Sequence, residues 1–159
     1  MKLARRDRDV MLGFISGGFW GHYNCSRGVD MWFENAIGKE KIKFMFNNNF
    51  NIKNIEVNNF SLEHFSDLKI RFYCNDTPKK YPIKWNEEGF NAMSLVVTFG
   101  DVIQFNVTGS RVGFLCSPII NSLKEFSEIT IKHYGFYFYC KARFLTIESI
   151  TPYVDERWD

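Results

Sequence analysis

Met93-Ser94-Leu95-Val96-Val97-Thr98-Phe99-Gly100-Asp101-Val102-Ile103-Gln104-Phe105-Asn106-Val107 is the stretch that decides the fold. Met93, Leu95, Val97 and Phe99 recur at every second position, the side-chain period of a strand with one buried face. Gly100-Asp101 then reads as a tight turn, after which residues 102–107 resume as the partner strand, so the whole stretch predicts a β-hairpin. The same period extends outward in both directions. Leu68, Ile70, Phe72 and Cys74 alternate with Lys69, Arg71 and Tyr73, and Ile42, Phe44 and Phe46 alternate with Lys41, Lys43 and Met45. Downstream, Val112, Phe114 and Cys116 carry it to Pro118, and Ile129, Ile131 and His133 carry it to Tyr134-Gly135. A last pair, residues 136–140 and 144–150, ends at Pro152.

Short strands with turn signals between them, and no long amphipathic helix, predict a mainly β protein, α+β at most. Its architecture is an antiparallel β-sandwich or a strongly curved sheet. One or two short N-terminal helices are expected, over residues 3–15 before Gly17-Gly18 and over residues 29–37 before Gly38. Asn47-Asn48-Asn49 is expected to cap a hairpin, because Asn tolerates the left-handed backbone. Phe44, Phe46, Phe72, Phe99, Phe114, Phe136 and Phe138 fall on strand positions and are assigned to the core.

The chain has 159 residues with 17 Phe, 7 Tyr and 4 Trp, a load of rings that argues against disorder. A chain of this length supports one sizeable core, so a single globular domain over residues 1–159 is expected. Lys and Arg number 20 against 18 Asp and Glu, and a net charge of +2 selects no partner. No uncharged apolar run is long enough for a membrane span, so no membrane partner is expected. Without a signal-peptide pattern the expected location is cytoplasmic, and Asn-X-Ser/Thr matches such as Asn106-Val107-Thr108 are read as chance. Cys25, Cys74, Cys116 and Cys140 are too far apart for a zinc or redox motif and read as small buried hydrophobes.

No catalytic constellation emerges. His22, His64 and His133 are the only imidazoles; His22 lies near Cys25, but spacing along the chain does not establish a Cys25/His22 pair, and the favoured reading is a structural or solvated His22. Neither His64 nor His133 has a nearby metal partner, and Gly13, Gly17, Gly18 and Gly21 lack the strand and the Lys-Ser/Thr of a phosphate loop. Glu87-Glu88 are adjacent on an extended segment and point apart, which disfavours a shared acid-base site. No metal, cofactor or small-molecule ligand is therefore expected. A nucleic-acid-binding β-module is the alternative function, with Lys69, Arg71 and Tyr73 on one strand face extended by Lys132-His133-Tyr134; an ordinary half-exposed strand explains the same pattern more simply.

Pro78-Lys79-Lys80-Tyr81-Pro82-Ile83-Lys84-Trp85, Gly89-Phe90-Asn91, Leu95 to Val102, Tyr134-Gly135-Phe136-Tyr137-Phe138-Tyr139-Cys140 and the closing Thr146-Ile147-Glu148-Ser149-Ile150-Thr151-Pro152 together resemble the immunity proteins of bacterial polymorphic-toxin systems, in particular immunity protein family fifty. The resemblance covers about the C-terminal two-thirds and implies a protein that binds one cognate toxin domain, of a contact-dependent inhibition or polymorphic-toxin system, and has no catalytic residues. Its site would then be a surface patch. The rings outside the strand pattern and beside carboxylates are the expected toxin contacts: Tyr81 and Trp85 with Glu87 and Glu88, and Trp158 with Asp155, Glu156 and Asp159.

Overall fold

In the computed structural model, which describes residues 31–87 and 89–158, the alternation is realised as one seven-stranded sheet. A short helix α1 (Glu40–Met45) precedes β1 (Ile55–Glu63), β2 (Asp67–Cys74), β3 (Ala92–Thr108), β4 (Phe114–Cys116), β5 (Ile119–Ser122), β6 (Ser127–His133) and β7 (Phe136–Tyr153). The strand order is β4-β1-β2-β3-β7-β6-β5, and every neighbouring pair is antiparallel. Phe114 of β4 nevertheless stacks on His133 of β6, with ring centroids 4.3 Å apart. Four strands separate these two in the order, so the sheet curls on itself as a half-barrel. Of the two architectures expected, the strongly curved sheet is the one formed.

The stretch at 93–107 is not a hairpin. It is one strand of 17 residues, paired along its length with β7, which is itself one strand of 18 residues rather than the expected pair. Gly100 is there for a different reason than a turn: a Cβ on it would lie 2.2 Å from the Phe144 ring of β7. Glycine inside a strand marks such a close approach as well as it marks a bend. Asp101 takes a left-handed backbone (φ 53), and the register shifts between Val102 and Gln104. A bulge absorbs the irregularity and bends the ladder without reversing the chain.

The strand expected from Lys41 is also corrected, because these residues form α1. Ile42, Met45 and Phe46 are buried while Phe44 is 62% exposed, which is spacing of three and four rather than two. Asn47 and Asn48 do adopt the left-handed backbone (φ 54 and 58), but they end this helix instead of capping a hairpin. Residues 32–35 form turns, not the second short helix, and Ile37 forms a parallel bridge to Thr146 of β7. That bridge occupies the β7 edge beyond Ala142, where the pairing with β6 stops. The helix expected at 3–15 lies outside the described residues.

The concave face carries the core. Phe46, Phe72, Phe99, Phe136 and Phe138 are buried in it as assigned, Phe114 is half-buried, and Phe33 and Phe50 join from the segment around α1. Cys74, Cys116 and Cys140 are free and buried, and burial pushes each thiol up to about 12. Cys25 lies outside the described residues.

Candidate functional site

Residues 75–91 connect β2 to β3 and hold the rings that the strand pattern leaves over. Pro82 is extended and starts a 3-10 turn over Ile83–Asn86, closed by the Trp85 N–H donating to the Pro82 carbonyl at 3.0 Å. The turn brings Trp85 over Tyr81, with centroids 6.0 Å apart and planes within 8°. Phe90 meets both edge-on, at 5.1 and 5.9 Å. With Thr77, Pro78, Asn86 and Gly89 these rings line an open recess of about 330 Å³.

The recess is held from two sides. The Lys79 and Lys80 N–H groups donate to the Met45 carbonyl at 2.9 and 3.2 Å, giving the end of α1 partners it would otherwise lack. On the other side, Asn91 Nδ2 donates to the Asp155 carbonyl at 2.9 Å, and the Asp155 N–H donates to Asn91 Oδ1 at 2.7 Å. One amide side chain thus joins the recess loop to the C-terminal 3-10 turn, Glu156–Trp158. The two sequence-predicted clusters are neighbours in space through this contact.

Their members fare differently. Tyr81 and Trp85 are half-buried in the recess wall, while Glu87 and Glu156 are exposed. Asp155 is 5% exposed, and its carboxylate accepts from Arg157 Nε at 2.9 Å, Arg157 Nη2 at 2.7 Å and Tyr153 Oη at 3.2 Å. Arg157 holds the Asp155 carboxyl well below the usual carboxylate range, and burial, reinforced by Asp155, raises the Tyr153 phenol. Arg157 also reaches Glu56 of β1 at 2.9 Å. Glu88, Asp159 and the Trp158 side chain lie outside the described residues, as do Cys25 and His22. Phe90, Asn91 and Arg157 were not singled out as site residues, although an Asn placed just before a strand is a visible signal.

The basic and aromatic strip takes another form than a stacking platform. Lys69, Arg71 and Tyr73 do share the outward side of β2, but Lys69 pairs with Glu63 at 2.7 Å and Glu148 at 3.8 Å, and the Tyr73 ring packs against Tyr153 at 4.9 Å. β3 and β7 separate β2 from β6, so Lys132 and Tyr134 do not continue the strip, and His133 is turned onto Phe114. Among the described residues no three His, Cys, Asp or Glu side chains gather in a way that holds a metal ion.

The family profile described as Immunity protein 50 matches residues 38–153, a span holding α1 and all seven strands. The chain belongs to the Immunity protein 50 family. The resemblance read from the sequence is thereby established as membership. No curated protein and no solved structure gives a match. Within the family span lie Tyr81, Trp85 and Glu87, whereas the Asp155–Arg157 network falls beyond its end.

Proposed function

We propose that this immunity protein acts in the cytoplasm by forming a stoichiometric complex with one cognate toxin domain of a polymorphic or contact-dependent inhibition system, and that it turns over no substrate. The observation that carries the reading is family membership across the entire sheet. The recess supports it: Tyr81 and Trp85 are amphipathic rings in a fixed stack, with Glu87 and Glu156 exposed nearby. Tyr and Trp recur as anchors of protein interfaces, and rim carboxylates steer encounter with a basic partner.

Co-expression with the toxin domain encoded by the neighbouring gene tests this. Growth should be restored, and the two chains should elute together on size-exclusion chromatography. Absence of both protection and complex would overturn the proposal. The pairing of Lys69 with Glu63 and Glu148 counts against the nucleic-acid reading, and under the toxin-binding proposal labelled single-stranded oligonucleotide should show no salt-dependent shift.

A further inference from the structure

The turn between β1 and β2 combines strain with exposure. Glu63 pairs with Asp67, and the chain reverses through His64, Phe65 and Ser66, with φ 47 at His64 and 70 at Phe65. Two successive left-handed residues are what hairpin turns fill with Asn and Gly; a bulky ring there is an outlier. Phe65 is 109% exposed, more than any other large apolar side chain among the described residues. Neither turn chemistry nor burial accounts for a Phe at this position. Leu62, at 58%, and Ile103, at 54%, are also exposed close by, since the Val102 N–H donates to the Ser66 carbonyl at 2.8 Å.

Carboxylates lie on the strand ends that carry this apolar tip and on the strands beside them. Asp67 Oδ1 accepts from the Asp101 N–H at 3.1 Å, Asp101 pairs with Arg143 at 2.7 Å, and Lys69 is shared between Glu63 and Glu148. In this network the four carboxylates Asp67, Asp101, Glu63 and Glu148 outnumber the two cations Lys69 and Arg143. An apolar finger in an acidic collar is repelled by anionic phospholipid and by a second copy of itself, and it complements a basic protein surface.

We propose that the β1–β2 turn is a plug: Phe65 enters an apolar pocket, one aromatic ring wide and rimmed by Lys or Arg, on the cognate toxin domain. This rests on the toxin-binding reading above but uses the end of β2 opposite the recess. Strain held at an exposed ring is retained because the ring is used in binding.

The test measures binding of the toxin domain encoded by the neighbouring gene to the wild-type chain and to Phe65→Gly and Phe65→Asp, with thermal unfolding followed in parallel. Both variants should bind about 30-fold more weakly, the scale of an interface hot spot. Phe65→Gly should unfold at an equal or higher temperature, because Gly takes the left-handed backbone without a Cβ clash. Wild-type affinity should fall as salt rises. Wild-type binding with no loss in either variant would overturn the plug and leave the toxin-binding reading standing. No binding by the wild-type chain would overturn both. A lowered midpoint for Phe65→Gly would overturn the plug by making Phe65 a structural residue. Phe65-dependent self-association, or Phe65-dependent sedimentation with phosphatidylglycerol vesicles, would overturn it by naming another occupant.

Discussion

Two aromatic surfaces stand at opposite ends of β2, separated by roughly 25 Å of strand, and they are built on opposite principles. At one end Tyr81 stacks on Trp85 with Phe90 edge-on to both, and hydrogen bonds through Met45 and Asn91 fasten their loop to α1 and the C-terminal turn. At the other, Phe65 stands exposed on a backbone that favours glycine. Rings in the recess support the fold and each other. The ring at the turn is buried against none of the described residues. Exposure of an aromatic therefore means different things at the two ends, and substitutions should separate them by the sign of their effect on stability.

The largest effect is expected at the recess. Asn91→Ala removes both hydrogen bonds to Asp155 and should cost about 2 to 3 kcal/mol in urea unfolding, since two partly buried backbone groups lose their partners. A cost below about 0.5 kcal/mol would mean that the recess loop is not fastened as described.

The next effect is in pH. Arg157 holds the Asp155 carboxyl below its ordinary value in the folded chain, so the group adds stability above the usual carboxylate range and loses it as pH falls. The thermal midpoint of the wild-type chain should drop more steeply below about pH 4 than that of Asp155→Asn. Parallel curves for the two proteins would remove this coupling. At the turn the sign reverses: Phe65→Gly should leave stability unchanged or raise it by about 0.5 to 1 kcal/mol.

The smallest effect is expected in the core beneath both surfaces. Cys74, Cys116 and Cys140, with thiols pushed up to about 12 by burial, should resist iodoacetamide at about pH 8 in the folded chain and react once urea unfolds it. Peptide mass spectrometry reads this residue by residue. Rapid labelling of any of the three in the folded chain would show that the core opens.

Much of the sheet was legible because its period is local. Leu68, Ile70, Phe72 and Cys74 declare the buried side of β2 within seven residues of sequence, and all four are buried. Gly100 is ambiguous in sequence because a turn and a close approach ask for the same residue, and only Phe144, on another strand, distinguishes them. α1 is ambiguous in sequence because Ile42 and Phe46 fit both periods, and the choice between Phe44 and Met45 as the third buried member is made by tertiary packing. Tyr81 and Trp85 stood out as rings outside the strand pattern. The partners of Asp155 did not, since Arg157 two residues on looks like any exposed tail residue until its fork closes on the carboxylate. Phe65 left no mark at all: in sequence it is one more ring between polar neighbours, and only its backbone angle and exposure set it apart.

As proposed above, this Immunity protein 50 member neutralises its cognate toxin domain by occupying it. Occupancy has a stoichiometry, read by titrating a fixed amount of the neighbouring gene's toxin domain with the purified chain and following residual toxin activity. Activity should fall linearly to zero at one chain per toxin domain. Abolition of activity at a small fraction of that ratio, or full activity at a large excess of the chain, would contradict it.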